Sequence, residues 1–183
     1  IILGQGNADC NKGIYESKGS NWSYADEMGY PFGFGLSYTT FKQTLKKVEY
    51  NANTDQIEAT VEVENTGDMD GKASVQLYVQ QPWTDYDKEN KLGRPSIALM
   101  AYDKVDVEKG KKVTTTVKFD RYFLATYDYK VARTYILEGG DYLFAVGNGS
   151  HEALNNILNY KGASGMIDHN GNDFAGDKSC VQS

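Results

Sequence analysis

"IEATVEVENTGDMDGKASVQLYV", residues 57–79, holds two runs of strict alternation joined by a turn-rich connector. Ile57, Ala59, Val61 and Val63 fall on one side of the first run, and Glu58, Thr60 and Glu62 on the other. Val75, Leu77 and Val79 repeat the pattern in the second. A period of two marks strands with one buried face. In the connector, Asp70-Gly71 is a hairpin signal, because glycine takes φ > 0 without steric cost. Two strands paired across that turn are expected.

Further strands are legible on both sides of this stretch. "TTFKQTLKKVEY" (39–50) precedes it, and "IALMAYDKV" (97–105) and "KVTTTVKF" (112–119) follow, the latter with Val113, Val117 and Phe119 on one face. "GDYLFAVG" (140–147) aligns Tyr142, Phe144 and Val146, and "RYFLATYDYKVARTYILEGG" (121–140) has room for one or two shorter strands. About seven strands separated by turn chemistry predict an all-β fold, an antiparallel β-sandwich. "SHEALNNILNYKG" (150–162) breaks the period. Leu154, Ile157 and Leu158 recur at helical spacing, with Ser150 as cap, Glu152 at the positive end and Gly162 as stop, so one short helix over 151–160 packs on the sandwich. Residues 1–28 read as an irregular lead-in, 29–162 as the sandwich with its helix, and 163–183, rich in Gly, Asp and Asn without periodicity, as an exit linker.

A chain of 183 residues with 40% apolar and 13% aromatic side chains suits one domain, burying roughly 70% of its unfolded surface. The net charge of −6 repels phosphate backbones, and no Lys/Arg stripe overrules it, which excludes nucleic acid as a partner. No run of about 18 apolar residues exists to engage a membrane. "IILGQGNADC" is too short and polar for a secretory leader. The chain reads as soluble and as a piece of something longer, in the bacterial cytoplasm or secreted. Cys10 and Cys180 leave a disulfide, two free thiols or pairing with absent residues open, the free thiols being favoured. Neither they nor His151 and His169 have metal-ligand spacing, so no metal or other cofactor is expected. The sequons at Asn21 and Asn148 carry weight only in a secreted eukaryotic chain.

Two stretches invite a ligand. In "GYPFGFGLSYTTF" (29–41), Gly33 and Gly35 are followed by Tyr38 where a dinucleotide fingerprint needs a third glycine, and a strand follows instead of a helix. A tight chain reversal whose aromatics Tyr30, Phe32, Phe34 and Tyr38 bury against a neighbouring layer is the better reading. In the loop "QQPWTDYDKENKLGRPS" (80–96), Trp83 and Tyr86 are placed to stack on a sugar face, with Asp85, Asp87, Glu89 and Arg94 as hydroxyl partners. A solvated loop with partly packed aromatics is the plainer alternative. A calcium loop is disfavoured by Asn90 and Ser96 at the places of the turn glycine and the bidentate acid. Glycoside hydrolysis needs paired carboxyl groups, and none of the acidic residues sits in a motif that marks it; nucleophile signatures are absent too. An adhesion sandwich would share the architecture without further support.

The order of these segments resembles a known family. "YPFGFGLSYTTF" is similar to the junction that leads into the fibronectin type III-like (immunoglobulin-like) domain of glycoside hydrolase family three, the β-glucosidases and β-xylosidases. "VENTGDMDGKASVQLYVQQP" resembles that domain's central hairpin, "GRPSIALMAYDKVDVEKGKKVTTTVKF" its next two strands, and "EGGDYLFAVGNGS" its closing strand. The continuation at 150–162 resembles members with swapped domain order, which would place the catalytic barrel downstream and an α/β layer upstream. Ala98 stands where members often carry an acid, and residues 13–29 match the sugar-site stretch "YVGYR" poorly. The resemblance implies a non-catalytic accessory module of a hydrolase of carbohydrate metabolism. The catalytic domains of the same parent chain are then its partners, met through Tyr30, Phe32, Phe34, Leu36 and Tyr38. No catalytic residue is implied within this chain. The alternative is a carbohydrate-binding module contacting β-linked oligosaccharide through Trp83, Tyr86 and Arg94 of the 82–97 loop.

Overall fold

The computed structural model describes residues 30–168 and 172–183; the expectations for 1–28, Cys10, Asn21 and His169 lie outside the described residues. In chain order the strands are β1 (Phe41–Asn51), β2 (Gln56–Asn65), β3 (Gly71–Gln80), β4 (Ala98–Val107), β5 (Lys112–Asp120), β6 (Thr126–Asp128), β7 (Thr134–Ile136), β8 (Leu143–Val146) and β9 (Val181–Gln182). Helix α1 (Asp85–Asn90) lies between β3 and β4, and α2 (Ser150–Tyr160) follows β8. One sheet has the order β1-β2-β5, the second β4-β3-β8-β9, and β6 and β7 form a separate ribbon. Neighbouring strands in each are antiparallel.

The alternating residues of 57–79 become the middle of this sandwich. Ala59, Val61, Val63, Val75 and Leu77 are fully enclosed, facing Leu45, Val117, Phe119, Phe144 and Val146. A second, smaller core lies beyond the four-stranded sheet, where Tyr78, Ala145 and Val181 meet Ala153 and Ile157 of α2. With both faces covered, β8 is buried at every position, which explains its unbroken apolar run.

The connector at 66–70 is not a hairpin: β2 and β3 lie in different sheets, and the chain crosses the sandwich between them. The side chain of Asn65 fastens the crossing, donating to the carbonyls of Met69 (2.7 Å) and Val107 (2.9 Å) and accepting from Thr39 (2.8 Å). Gly71 does not have the left-handed backbone that the hairpin reading invoked. It leaves room, since a Cβ there would stand 2.4 Å from the Thr39 methyl.

The helix forms as expected and ends at Gly162, whose φ of +83° closes it. Its start differs. Gly149, not Ser150, is the N-cap, and the Ser150 amide donates to the Phe32 carbonyl (2.8 Å), so the segment at 29–41 satisfies the first turn. The buried Asn156 donates to the Val146 carbonyl (2.9 Å) and accepts from the Asp177 amide (2.7 Å). That contact turns the last residues back onto the sandwich, and the exit-linker reading is corrected there: β9 pairs with β8, and Cys180 enters the main core. The Cys180 thiol is free, donates to the Gln43 carbonyl, and is pushed up to about 12 by burial. Among the described residues no helix is long and apolar enough to cross a membrane.

Candidate functional site

The joint segment has a fixed backbone and open side chains. Phe34 N–H donates to Pro31 (3.0 Å), the Gly33 carbonyl accepts from Gln76 Nε2 (2.9 Å), and Tyr78 Oη donates to Gln76 Oε1 (2.7 Å). Gly33 suits its φ of +82°, and a Cβ there would push aside the end of the Gln76 side chain, whose Oε1 would stand 2.1 Å away. On this anchored turn Tyr30, Phe32, Leu36 and Tyr38 are 71%, 50%, 91% and 97% exposed. Phe34 is half-buried and stacks on Tyr30 with ring centroids 5.0 Å apart. Among the described residues, no layer of the sandwich covers the side chains of Leu36 and Tyr38. Beside them a cavity of about 320 Å³ opens between Pro31, Phe34, Phe41, His151 and Phe174.

The 82–97 loop is a built structure. Thr84 caps α1 reciprocally, accepting from the Asp87 amide while its own amide donates to Asp87 Oδ2 (3.1 Å). Arg94, whose side chain is 4% exposed, donates through Nε to Asp87 Oδ2 (2.7 Å), through Nη1 to Gln81 (2.9 Å) and Thr126 (2.6 Å), and through Nη2 to Glu138. Tyr86 Oη donates to Asp128, and Lys130 Nζ to the carbonyls of Asn90 (2.8 Å) and Lys91 (2.7 Å) at the negative end of α1. The structure therefore separates the three sugar candidates. Arg94 and Asp87 are partners of each other and not of hydroxyls in solvent, Tyr86 is tied by its hydroxyl, and Trp83 stands 62% exposed. Trp83 forms one wall of a groove of about 910 Å³, with Gln80, Ser96, Asp141, Tyr160 and Lys161 around it. Tyr160 and Lys161 come from the end of α2, and no local signal links them to the loop. Among the described residues no group of three or more His, Cys, Asp or Glu side chains is arranged to hold a metal ion.

Asp128 was also missed, although an Asp opening a turn is a recognisable Asx signal. It accepts from the amides of Lys130, Val131 and Ala132 at 2.8–3.0 Å as well as from Tyr86. The Tyr86 hydroxyl first, then the Ala132 and Val131 amides, hold its carboxyl far below the usual range. The folded value lies under the unfolded one, so charged Asp128 stabilises the fold above about pH 4, and the contribution fades as pH falls further. Asp128→Asn is expected to melt below wild type at neutral pH, with the gap shrinking below about pH 4. A gap that stays constant from neutral to acid pH in circular dichroism melts would refute this account.

Comparison with known proteins places these features in context. A family model described as a fibronectin type III-like domain matches residues 73–150. A β-glucosidase of Kluyveromyces marxianus is 32% identical over 129 residues, covering 70% of this chain and 14% of that protein. Thermostable β-glucosidase B of Acetivibrio thermocellus is 32% identical over 139 residues, covering 73% and 18%. The crystal structure of a β-glucosidase from Paenibacillus barengoltzii superposes with a TM-score of 0.56 at 38% identity, over 66% of this chain and 13% of that one. The chain thus spans less than a fifth of the length of these relatives.

Proposed function

Since this chain carries the fibronectin type III-like domain of the family-three glycoside hydrolases, we propose that it serves a parent β-glycosidase by fixing the geometry of the catalytic domains through its joint. The observation that carries this reading is the contrast at residues 30–38: a pinned backbone on which the Leu36 and Tyr38 side chains stand almost fully exposed. A monomer gains nothing by exposing Leu36 and Tyr38 almost completely, whereas a neighbouring domain that covers them gains roughly 1.5–3 kcal/mol for each large side chain buried. The parent's hydrolysis of β-glycosides belongs to the same proposal, with the nucleophile and the acid/base supplied by other domains.

A second reading concerns β-linked oligosaccharide. The groove beside Trp83 combines an open aromatic ring with Gln80, Ser96, Asp141 and Lys161 as hydroxyl partners, the composition a sugar site requires. It completes a substrate cleft when the catalytic domains are present.

One set of variants in the parent enzyme tests both. Leu36→Ala with Tyr38→Ala is expected to lower the melting midpoint of the parent while leaving the midpoint of the 183-residue chain alone. Trp83→Ala is expected to raise KM for cello- or xylo-oligosaccharides at constant kcat. Unchanged parent stability in the first variant defeats the docking reading, and unchanged KM in the second defeats the groove. Enzyme-like hydrolysis of an aryl β-glucoside by the chain by itself would defeat the accessory role.

A further inference from the structure

Four aromatic side chains form one surface at the end of the sandwich that the joint does not touch. Tyr122 and Phe123 lie in the 3-10 turn after β5, Tyr127 on β6 and Tyr135 on β7; they are 56%, 58%, 49% and 54% exposed. Ring centroids are 5.1 Å apart for Tyr122 and Tyr135, 5.2 Å for Tyr127 and Tyr135, and 6.2 Å for Tyr122 and Phe123. The register gives their place. Phe41, next to the joint, pairs with Asn65, whereas Gln56 at the other end of β2 pairs with Asp120, the residue before the 3-10 turn. The ribbon follows the Gln56 end of β2, whereas Phe41, which closes the joint, lies at the Asn65 end, about 30 Å of strand away.

The surface is rigid before any ligand arrives. Asp128 ties the ribbon turn to Tyr86, Lys130 ties it to the end of α1, and Arg94 holds Thr126. A ligand therefore meets little ordering cost. Size narrows the occupant. An aromatic side chain contributes about 150–250 Å² when wholly covered, so four half-exposed rings offer on the order of 400 Å². That is about half the ~800 Å² per partner of a stable protein interface, and within the range of functional patches on monomers.

Chemistry narrows it further. The rings meet tilted or edge to face, at 51–69°, with hydroxyls at their rims, that of Tyr127 donating to the Arg133 carbonyl (3.3 Å), and exposed Arg133 and Lys130 stand at the ribbon turn. The neighbouring carboxylates are engaged, Asp128 as above and Asp55 by Arg121 and Tyr50. A sugar ring with C–H groups on its face and hydroxyls on its edge fits such a surface. We infer that the β6–β7 ribbon face is a glycan-stacking surface for the chain of a β-linked polysaccharide, separate from the groove at Trp83. The choice of a glycan over other hydroxyl-rich ligands rests on the reading of this chain as a glycosidase module.

Affinity electrophoresis of the 183-residue chain through gels containing soluble β-glucan or xylan tests the inference. Wild type is expected to be retarded by at least one of the two polymers. Tyr135→Ala or Tyr122→Ala weakens this about tenfold, the scale of one ring contact; Tyr135→Phe stays retarded. Circular dichroism checks that each variant is folded, and Tyr127→Ala replaces any that is not. Wild-type mobility unaffected by both polymers overturns the inference. So does retardation lost with Trp83→Ala and kept with Tyr135→Ala, or a concentration-dependent dimer in sedimentation that Tyr135→Ala dissociates. The docking reading is judged by the parent's melting midpoint, so either can fail without the other.

Discussion

Arg94→Ala is expected to lower the unfolding free energy by about 3–5 kcal/mol, the range found when one partner of a buried ion pair is removed. The size follows from what remains behind. Asp87 is completely enclosed and the Glu138 side chain is 13% exposed, and both carboxylates converge on the one guanidinium. Asp87 Oδ1 has no hydrogen-bond partner among the described residues, so the loss of Arg94 leaves that carboxylate served mainly by the Thr84 amide. Gln81 and Thr126 lose their shared donor as well. Arg94→Lys is expected to recover only part of the loss, since one ammonium cannot reproduce a planar fork that reaches four acceptors. Urea unfolding followed by circular dichroism measures the effect, and a loss below about 1 kcal/mol would put Arg94 in the class of surface pairs. For a domain of total stability of about 5–15 kcal/mol, the expected value is a large share.

This hub also shows where reading from sequence stops. The β2 strand was legible because its signal is local: burial of one face writes a period of two into consecutive residues. Arg94 looked like a loop residue facing hydroxyls because its partners stand 7, 13, 32 and 44 positions away, and a one-dimensional pattern does not announce such convergence. Asp70-Gly71 misled for a related reason. A turn dipeptide marks a reversal but not whether the next strand returns beside the last one or crosses to the other sheet, and here the bonds of Asn65 decide that. The joint stood out through its aromatics, yet their exposure depends on Gln76 and Tyr78 of β3, about 40 residues on. At the other end "CVQ" is too short to carry a period, so β9 was read as part of a linker.

Ending the chain after Asp177 is expected to cost about 3–5 kcal/mol and to lower the melting midpoint by about 10 °C. Cys180 and Val181 are 5% and 2% exposed, and they enter different cores on the two sides of the four-stranded sheet. Burial of the valine is worth about 1.5–3 kcal/mol. Pairing on β8, with Phe144 opposite Gln182 and Ala145 opposite Val181, adds about 0.5–1.5 kcal/mol per ladder hydrogen bond. The same short segment also joins the sheets, because Cys180 donates to Gln43 and Gln182 to Leu45, both on β1 of the opposite sheet (3.2 Å each). Truncation removes that join and bares the edge of β8, an unpaired edge ready to accept another chain. The truncated protein should therefore also self-associate, visible in sedimentation at concentrations where the full chain stays monodisperse. Removal of Ser183 alone, which leaves both ladder residues in place, should change neither property. A truncated chain that melts within about 2 °C of full length and stays monomeric would mean that β9 contributes no stability, and that residues 163–183 behave as the linker their composition implied.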